Sequence, residues 1–270
     1  MPPAPPPSPP SLPLHVESLG DGPPVLLLHS SGLSGRQWKK LGAQLAQQGF
    51  RAILPDLHGH GASAPWPEPK PFSYRQEVTT IAAKIRSEGP VHLVGHSYGG
   101  LIALLAALEA PDRVRSMTLF DPVAFGVLHA RRDAPALSEL SGVVGAWGDS
   151  EASHDLWLQG FVDYWGGVGA WSFLREEART EFRRVGWVVQ QGVTTLMTDK
   201  TPASAFDVFQ FPVTLMTGEE SPTAARTVVD RLVRAIPGAK RVEIPGAGHM
   251  GPLAQADKVN PIVLAAVAAA

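Results

Sequence analysis

The chemical group that stands out in this chain is a serine at the centre of Gly95-His96-Ser97-Tyr98-Gly99, with one further glycine at Gly100. A G-x-S-x-G spacing suits a strand that reverses straight into a helix. Glycine on either side of such a turn removes the Cβ atoms for which there is no room, and the serine hydroxyl is forced to the tip, near the first N–H groups of the helix. Serine is a poor nucleophile at neutral pH and needs an adjacent base. The motif is short and also occurs where no hydrolysis takes place, so the elements around it decide its reading.

Those elements fit. Residues 91–94 are a continuous apolar run bounded by glycine, the pattern of a buried strand. Residues 101–108, rich in Ala and Leu, predict a buried helix that stops at Pro111. Upstream, 14–19 alternates weakly and suits an edge strand, 25–28 a central strand, and 51–55 another. Between them Trp38, Leu41 and Leu45 share one face of a helix that ends at Gly49. Ser73 and Gln76 form a capping box for a helix running to about residue 87. Strands at 114–120, 211–217 and 241–244, with helices at 223–236 and at the C-terminus, complete a mostly parallel sheet covered on both faces. The rhythm breaks between about 123 and 207, a stretch with helical patterning that holds five of the seven tryptophans: Trp147, Trp157, Trp165, Trp171 and Trp187. The expected organisation is a proline-rich leader at 1–12, a core of 13–122 and 208–270, and a helical cap inserted at 123–207.

Composition removes several alternatives. A net charge of -2 and a charged fraction of 18% offer no basic face for nucleic acid or an anionic membrane. No apolar run is long enough to span a bilayer. The chain has no cysteine, which excludes disulfides, thiolate metal sites and a cysteine nucleophile together. The N-terminal stretch lacks the basic segment and apolar core of a secretory signal, so a cytoplasmic location is expected. His58 and His60 form an H-x-H pair of the kind found at metal sites, but no third ligand lies nearby, and neither metal nor cofactor is expected. The expected partner is a small-molecule substrate, and oligomeric state stays open.

Taken together, LLLHSSG at 26–32, PDLHGHGAS at 55–63, VGHSYGG at 94–100, FPVTLMTGEESP at 211–222 and PGAGHMGP at 245–252 resemble the α/β-hydrolase fold superfamily, from about residue 14 to the C-terminus. The resemblance implies a doubly wound, mostly parallel eight-stranded sheet and a nucleophile–acid–histidine triad in that chain order. It makes Ser97 the nucleophile and His249 the base. It also makes the backbone N–H groups of Ser31 and Tyr98 the oxyanion donors. His96 should pack beneath the turn, and the 56–60 loop should be structural.

The acid is the departure. Relatives carry an aspartate in a G-x-x-D-P arrangement, whereas this chain reads Gly218-Glu219-Glu220-Ser221-Pro222, and serine cannot hold an imidazolium by charge. Asp121, at the end of the preceding strand, is the first alternative, since some members of the superfamily place their acid there. Glu220 is the second and Glu219 the third. Ser30 stands where a glycine is usual after His29, and Ser30, Trp38 and Phe125 are expected to shape the substrate pocket. The implied activity is metal-free cleavage of a carboxylic ester or related acyl bond through an acyl-enzyme. C–C bond hydrolysis, perhydrolase- or haloperoxidase-like chemistry, cofactor-free dioxygenation and a non-catalytic ligand-binding role remain as alternatives on the same fold. Epoxide hydrolases and haloalkane dehalogenases carry aspartate at the position of Ser97.

Overall fold

Alternation along single strands sorts the core into two layers. In β2 (Pro24–Leu28), Val25 and Leu27 face one side of the sheet while Leu26 and Leu28 face the other. The computed structural model describes residues 12–141, 145 and 147–270. Among them, β1 (Val16–Leu19), β3 (Arg51–Pro55), β2, β4 (Val91–His96), β5 (Val114–Phe120), β6 (Val213–Gly218) and β7 (Lys240–Ile244) lie side by side in that order. Only β1 runs antiparallel, along β3. Helices α1 (Lys39–Gln47) and α10 (Ala256–Ala268) pack on one layer, and α2 (Tyr74–Glu88), α3 (Tyr98–Glu109) and α8 (Thr223–Ala235) on the other. The capping box of α2 is present, Ser73 and Gln76 closing on each other's backbone N–H groups.

This is an α/β-hydrolase fold with one correction. The described residues supply seven strands, not eight. Among those residues β1 is an edge of the sheet, paired only with β3. The leader expected at 1–12 lies outside the described residues except for Leu12, whose carbonyl is held by His58.

Between β5 and β6 the described residues contain no strand. They form α4 (Ala134–Leu140), α5 (Glu151–Gly166), the short α6 (Ala170–Phe173) and α7 (Glu176–Leu196). Trp147, Trp157, Trp171, Phe161 and Val185 make a third apolar cluster, joined by Trp66 and Phe72 from the proline-rich loop before α2. No helix among the described residues is long and apolar enough to cross a membrane.

The 56–63 loop is the scaffold for the loop after β2. Asp56 accepts from Gly35 N–H and Ala62 N–H. His29 donates from Nδ1 to its neighbour's carbonyl at Ser30 and accepts at Nε2 from Leu57 N–H. His60 donates from Nδ1 to His58 O and accepts at Nε2 from Gly32 N–H. Both nitrogens of His58 face acceptors, Glu77 and Leu12 O, so its imidazole carries two protons. The H-x-H pair is thus fully engaged within the protein.

These partners set opposite responses to pH. Burial, reinforced at His60 by His29, lowers His29 and His60 from 6.5 to about 4. Protonation would also cost each ring the backbone N–H it accepts. Between those values the unfolded chain binds protons that the folded chain refuses, so stability falls on acidification through that window. Burial works against a charged His58, but the hydrogen bond and charge of Glu77 outweigh it and leave the group raised. Its contribution is complete below the unfolded value and is lost as pH rises through the folded one. We expect the thermal midpoint of the wild type to drop several degrees more than that of His60→Asn between about pH 7 and about pH 4.5. Equal drops, read by circular dichroism, would remove His60 as a source of acid lability.

Candidate active site

Four parallel strands deliver their next residues to one edge of the sheet. The β4–β5 register pairs His96 with Phe120, which sets Ser97 and Asp121 side by side. The β5–β6 register pairs Phe120 with Met216, and β6–β7 pairs Gly218 with Ile244, so the turn after β6 and the loop after β7 reach the same edge.

The turn at Ser97 needs its glycines. A Cβ on Gly95 would sit 2.8 Å from Gly100 Cα, and one on Gly99 would sit 2.4 Å from Leu28 O. Ser97 itself has φ 55 and Asp121 has φ 44, a region L-residues rarely occupy. Such backbone costs about 1–3 kcal/mol per residue. The helix that follows offsets it, because Leu101, Ile102, Leu104 and Leu105 are all buried and each contributes about 2 kcal/mol. Hydrogen bonds from Ser97 N–H to Phe120 O and from Asp121 N–H to Met216 O tie both residues to the adjacent strand.

The side chains meet in one line. Ser97 Oγ lies 2.9 Å from His249 Nε2, and His249 Nδ1 lies 3.2 Å from Asp121 Oδ2. Because Nδ1 faces a carboxylate it carries the proton, which leaves Nε2 free to accept from the serine. All three side chains are buried. Trp165, from α5, lies over the imidazole with ring centroids 4.0 Å apart. His249 is held by its loop as well as by its ring. Gly218 meets this loop so closely that a Cβ would fall 2.1 Å from Ala247 O. Glu219 accepts from Gly246 N–H.

Of the three candidate acids, Asp121 is the one brought to His249. Glu220 is exposed, and Glu219 is spent on the turn at Gly246. Ser221, where relatives would carry the acid, donates from Oγ to the same Asp121 Oδ2 and accepts from Gly218 N–H. Its signal was present in the G-x-x-D-P register, which places residue 221 beside the end of β5.

Ser31, Tyr98 and Phe125 line the cavity above Ser97, together with Val123, Leu140, Phe161, Trp165, Val193, Leu196 and Met197. The N–H groups of Ser31 and Tyr98 have no hydrogen-bond partner among the described residues. The cavity is apolar and measures ≈ 20 Å³, room for about one water. Two expected pocket residues are not there, which corrects the sequence reading. Trp38 is 1% exposed and packs with Leu41, Leu45 and Val263 in the layer beneath the sheet edge. Its helical spacing with Leu41 and Leu45 was a core signal. Ser30 gives its N–H to Gln37 and its carbonyl to His29, which leaves it to shape the loop rather than the cavity. His96 packs against His249, with ring centroids 5.0 Å apart.

Residues 25–262 match the model of the alpha/beta hydrolase family. The lipase LipV of Mycobacterium tuberculosis is 36% identical over 152 residues, 50% of this chain and 56% of that protein. The pimeloyl-[acyl-carrier protein] methyl ester esterase of Nitrosomonas europaea is 27% identical over 253 residues, 87% of this chain and 92% of that one. The chain spans about half the length of the first curated relatives it matches. Among solved structures, a bromoperoxidase from Bacillus anthracis superposes with a TM-score of 0.73 at 23% identity, over 94% of this chain and 95% of that one.

The geometry ranks the acids by consequence. Asp121→Asn is expected to lower kcat for ester hydrolysis on the order of a thousandfold or more, because an amide no longer fixes the imidazole tautomer. Ser221→Ala should cost about tenfold through a looser carboxylate, and Glu220→Gln less than about twofold. Steady-state rates on p-nitrophenyl butyrate check the order. A larger loss at Glu220 than at Asp121 would overturn it.

Proposed function

This chain is a member of the alpha/beta hydrolase family, and from that premise we propose that it is a serine hydrolase cleaving carboxylic esters or related acyl bonds of small apolar substrates. The observation that carries the reading is the unbroken line from Ser97 Oγ through His249 to Asp121, at 2.9 and 3.2 Å. Ser97 attacks the carbonyl carbon while His249 Nε2 takes the hydroxyl proton. Asp121, buried beside Nδ1, holds the imidazolium that forms. The face of Trp165 adds a favourable quadrupole to the same cation. The carbonyl oxygen gains charge in front of the N–H groups of Ser31 and Tyr98. His249 then returns its proton to the departing alcohol, and a water activated by the same nitrogen releases the acid.

Segment 123–207 serves as the cap in this reading, on a core of 13–122 and 208–270. It supplies Phe125, Leu140, Phe161, Trp165, Val193, Leu196 and Met197 to the cavity wall. An apolar wall with the polar groups gathered at one end suits an acyl chain whose only polar atoms are at the scissile bond. The names borne by the lipase and methyl ester esterase relatives point to the same bond type.

The wild type should turn over p-nitrophenyl acetate and butyrate and take up one fluorophosphonate at Ser97, and Ser97→Ala should do neither. A folded protein showing neither signal would sink the proposal. Trp165→Ala, which opens the wall beside the imidazole, is expected to raise the octanoate-to-butyrate ratio of kcat/KM by about tenfold. An unchanged ratio would take Trp165 out of the acyl pocket.

A further inference from the structure

Beneath the site runs a second line of hydrogen bonds that the chemistry above does not use. Gln37 sits in the short turn before α1, and its Oε1 accepts from Ser30 N–H at 2.9 Å. That contact fixes the amide, since a backbone N–H has to meet the oxygen. The NH2 end of Gln37 therefore points at His96 Nδ1, 3.0 Å away. Nδ1 has to accept, so the proton of His96 resides on Nε2, which donates to His249 O at 2.8 Å. His96 is completely buried. Burial and the adjoining His249 hold it well below the ordinary histidine range, in agreement with a neutral ring.

We infer that Gln37 and His96 are positioning residues that lock the oxyanion loop at Ser30-Ser31 to the loop carrying His249. The coupling passes through a tautomer. Without the Gln37 donor, nothing keeps the proton off Nδ1, and a His96 protonated there presents a lone pair to the lone pairs of His249 O. Among the described residues the side chain of Gln37 hydrogen-bonds Ser30 and His96 and not His249, yet its removal loosens the base from below while Trp165 still presses from above. The same loss frees Ser30 N–H, one residue from an oxyanion donor. Small displacements at such sites are costly, because a group misplaced by about 1 Å can forfeit a hundredfold in rate.

A core-filling role makes a different forecast, since leucine replaces either side chain at similar volume and the two losses would then be independent. The inference rests on the serine-hydrolase reading, and its test separates the two. Nitrogen-15 NMR of the labelled wild type should find His96 protonated at Nε2 and bare at Nδ1 from about pH 5 to about pH 8. A Nδ1 proton or an imidazolium overturns the inference, whatever the activity. In kinetics on p-nitrophenyl butyrate, Gln37→Leu and His96→Leu should each lower kcat about tenfold with KM within about twofold. The double variant should be no more than about threefold worse than the weaker single one. A product near a hundredfold means independent roles and contradicts the relay. Circular dichroism identifies a leucine variant that does not fold, in which case the NMR result decides. Full hydrolysis by Ser97→Ala would instead sink the serine reading and leave the tautomer result standing.

Discussion

The imidazole of His249 has to face two oxygens at once, and everything else in this fold is arranged around that demand. Those oxygens lie 128 and 152 positions away along the chain. Only a sheet whose strands run the same way can bring such distant residues to a common edge in fixed register, because each parallel crossover returns the chain to the same starting side. The register is enforced by burial on both faces. A slip of one residue along β4 or β5 would exchange the two apolar layers for each other and leave Ser97 or Asp121 on the wrong side of the sheet. The backbone strain at these two residues survives because the surrounding packing is stronger than it is.

The acid shows how far such an edge tolerates change. A carboxylate after β5 and one after β6 approach the same ring nitrogen from neighbouring strands, so the charge can move one strand without moving the histidine. In this chain the position after β6 holds a hydroxyl, and Ser221 Oγ donates to the Asp121 carboxylate after β5. It donates to the oxygen that also accepts the hydrogen bond of His249 Nδ1–H. The donor helps hold the carboxylate in one rotamer at the cost of competing with the imidazole for it. A buried charge with too few donors would be far more costly than that competition.

Much of this was legible in the residues. The glycine turn, the apolar strand before it and the Ala/Leu helix after it specified the geometry at Ser97, and the capping box at Ser73 marked the start of α2 to the residue. The failures have physical causes. Trp38 read as a pocket aromatic because pattern alone does not tell which layer of a two-faced sheet a helix covers. The eighth strand came from the family resemblance, whereas the residues themselves pattern only the seven strands that the described residues form. The partners of Gln37, His60 and Ser221 were out of reach because hydrogen bonds between loops leave no periodicity in the sequence. The closeness of α5 to His249 depends on Trp165, one of several tryptophans that spacing could not rank.

The central claim is that Ser97, activated through His249 and Asp121, carries the acyl group. Rapid acid quench of the p-nitrophenyl butyrate reaction, followed by peptide mass spectrometry, tests it directly. The account predicts one butyryl group on the peptide that contains Ser97, which accumulates before steady state and vanishes as substrate is exhausted. An enzyme that turns the ester over with Ser97 unmodified, or with the acyl group on another residue, would contradict it.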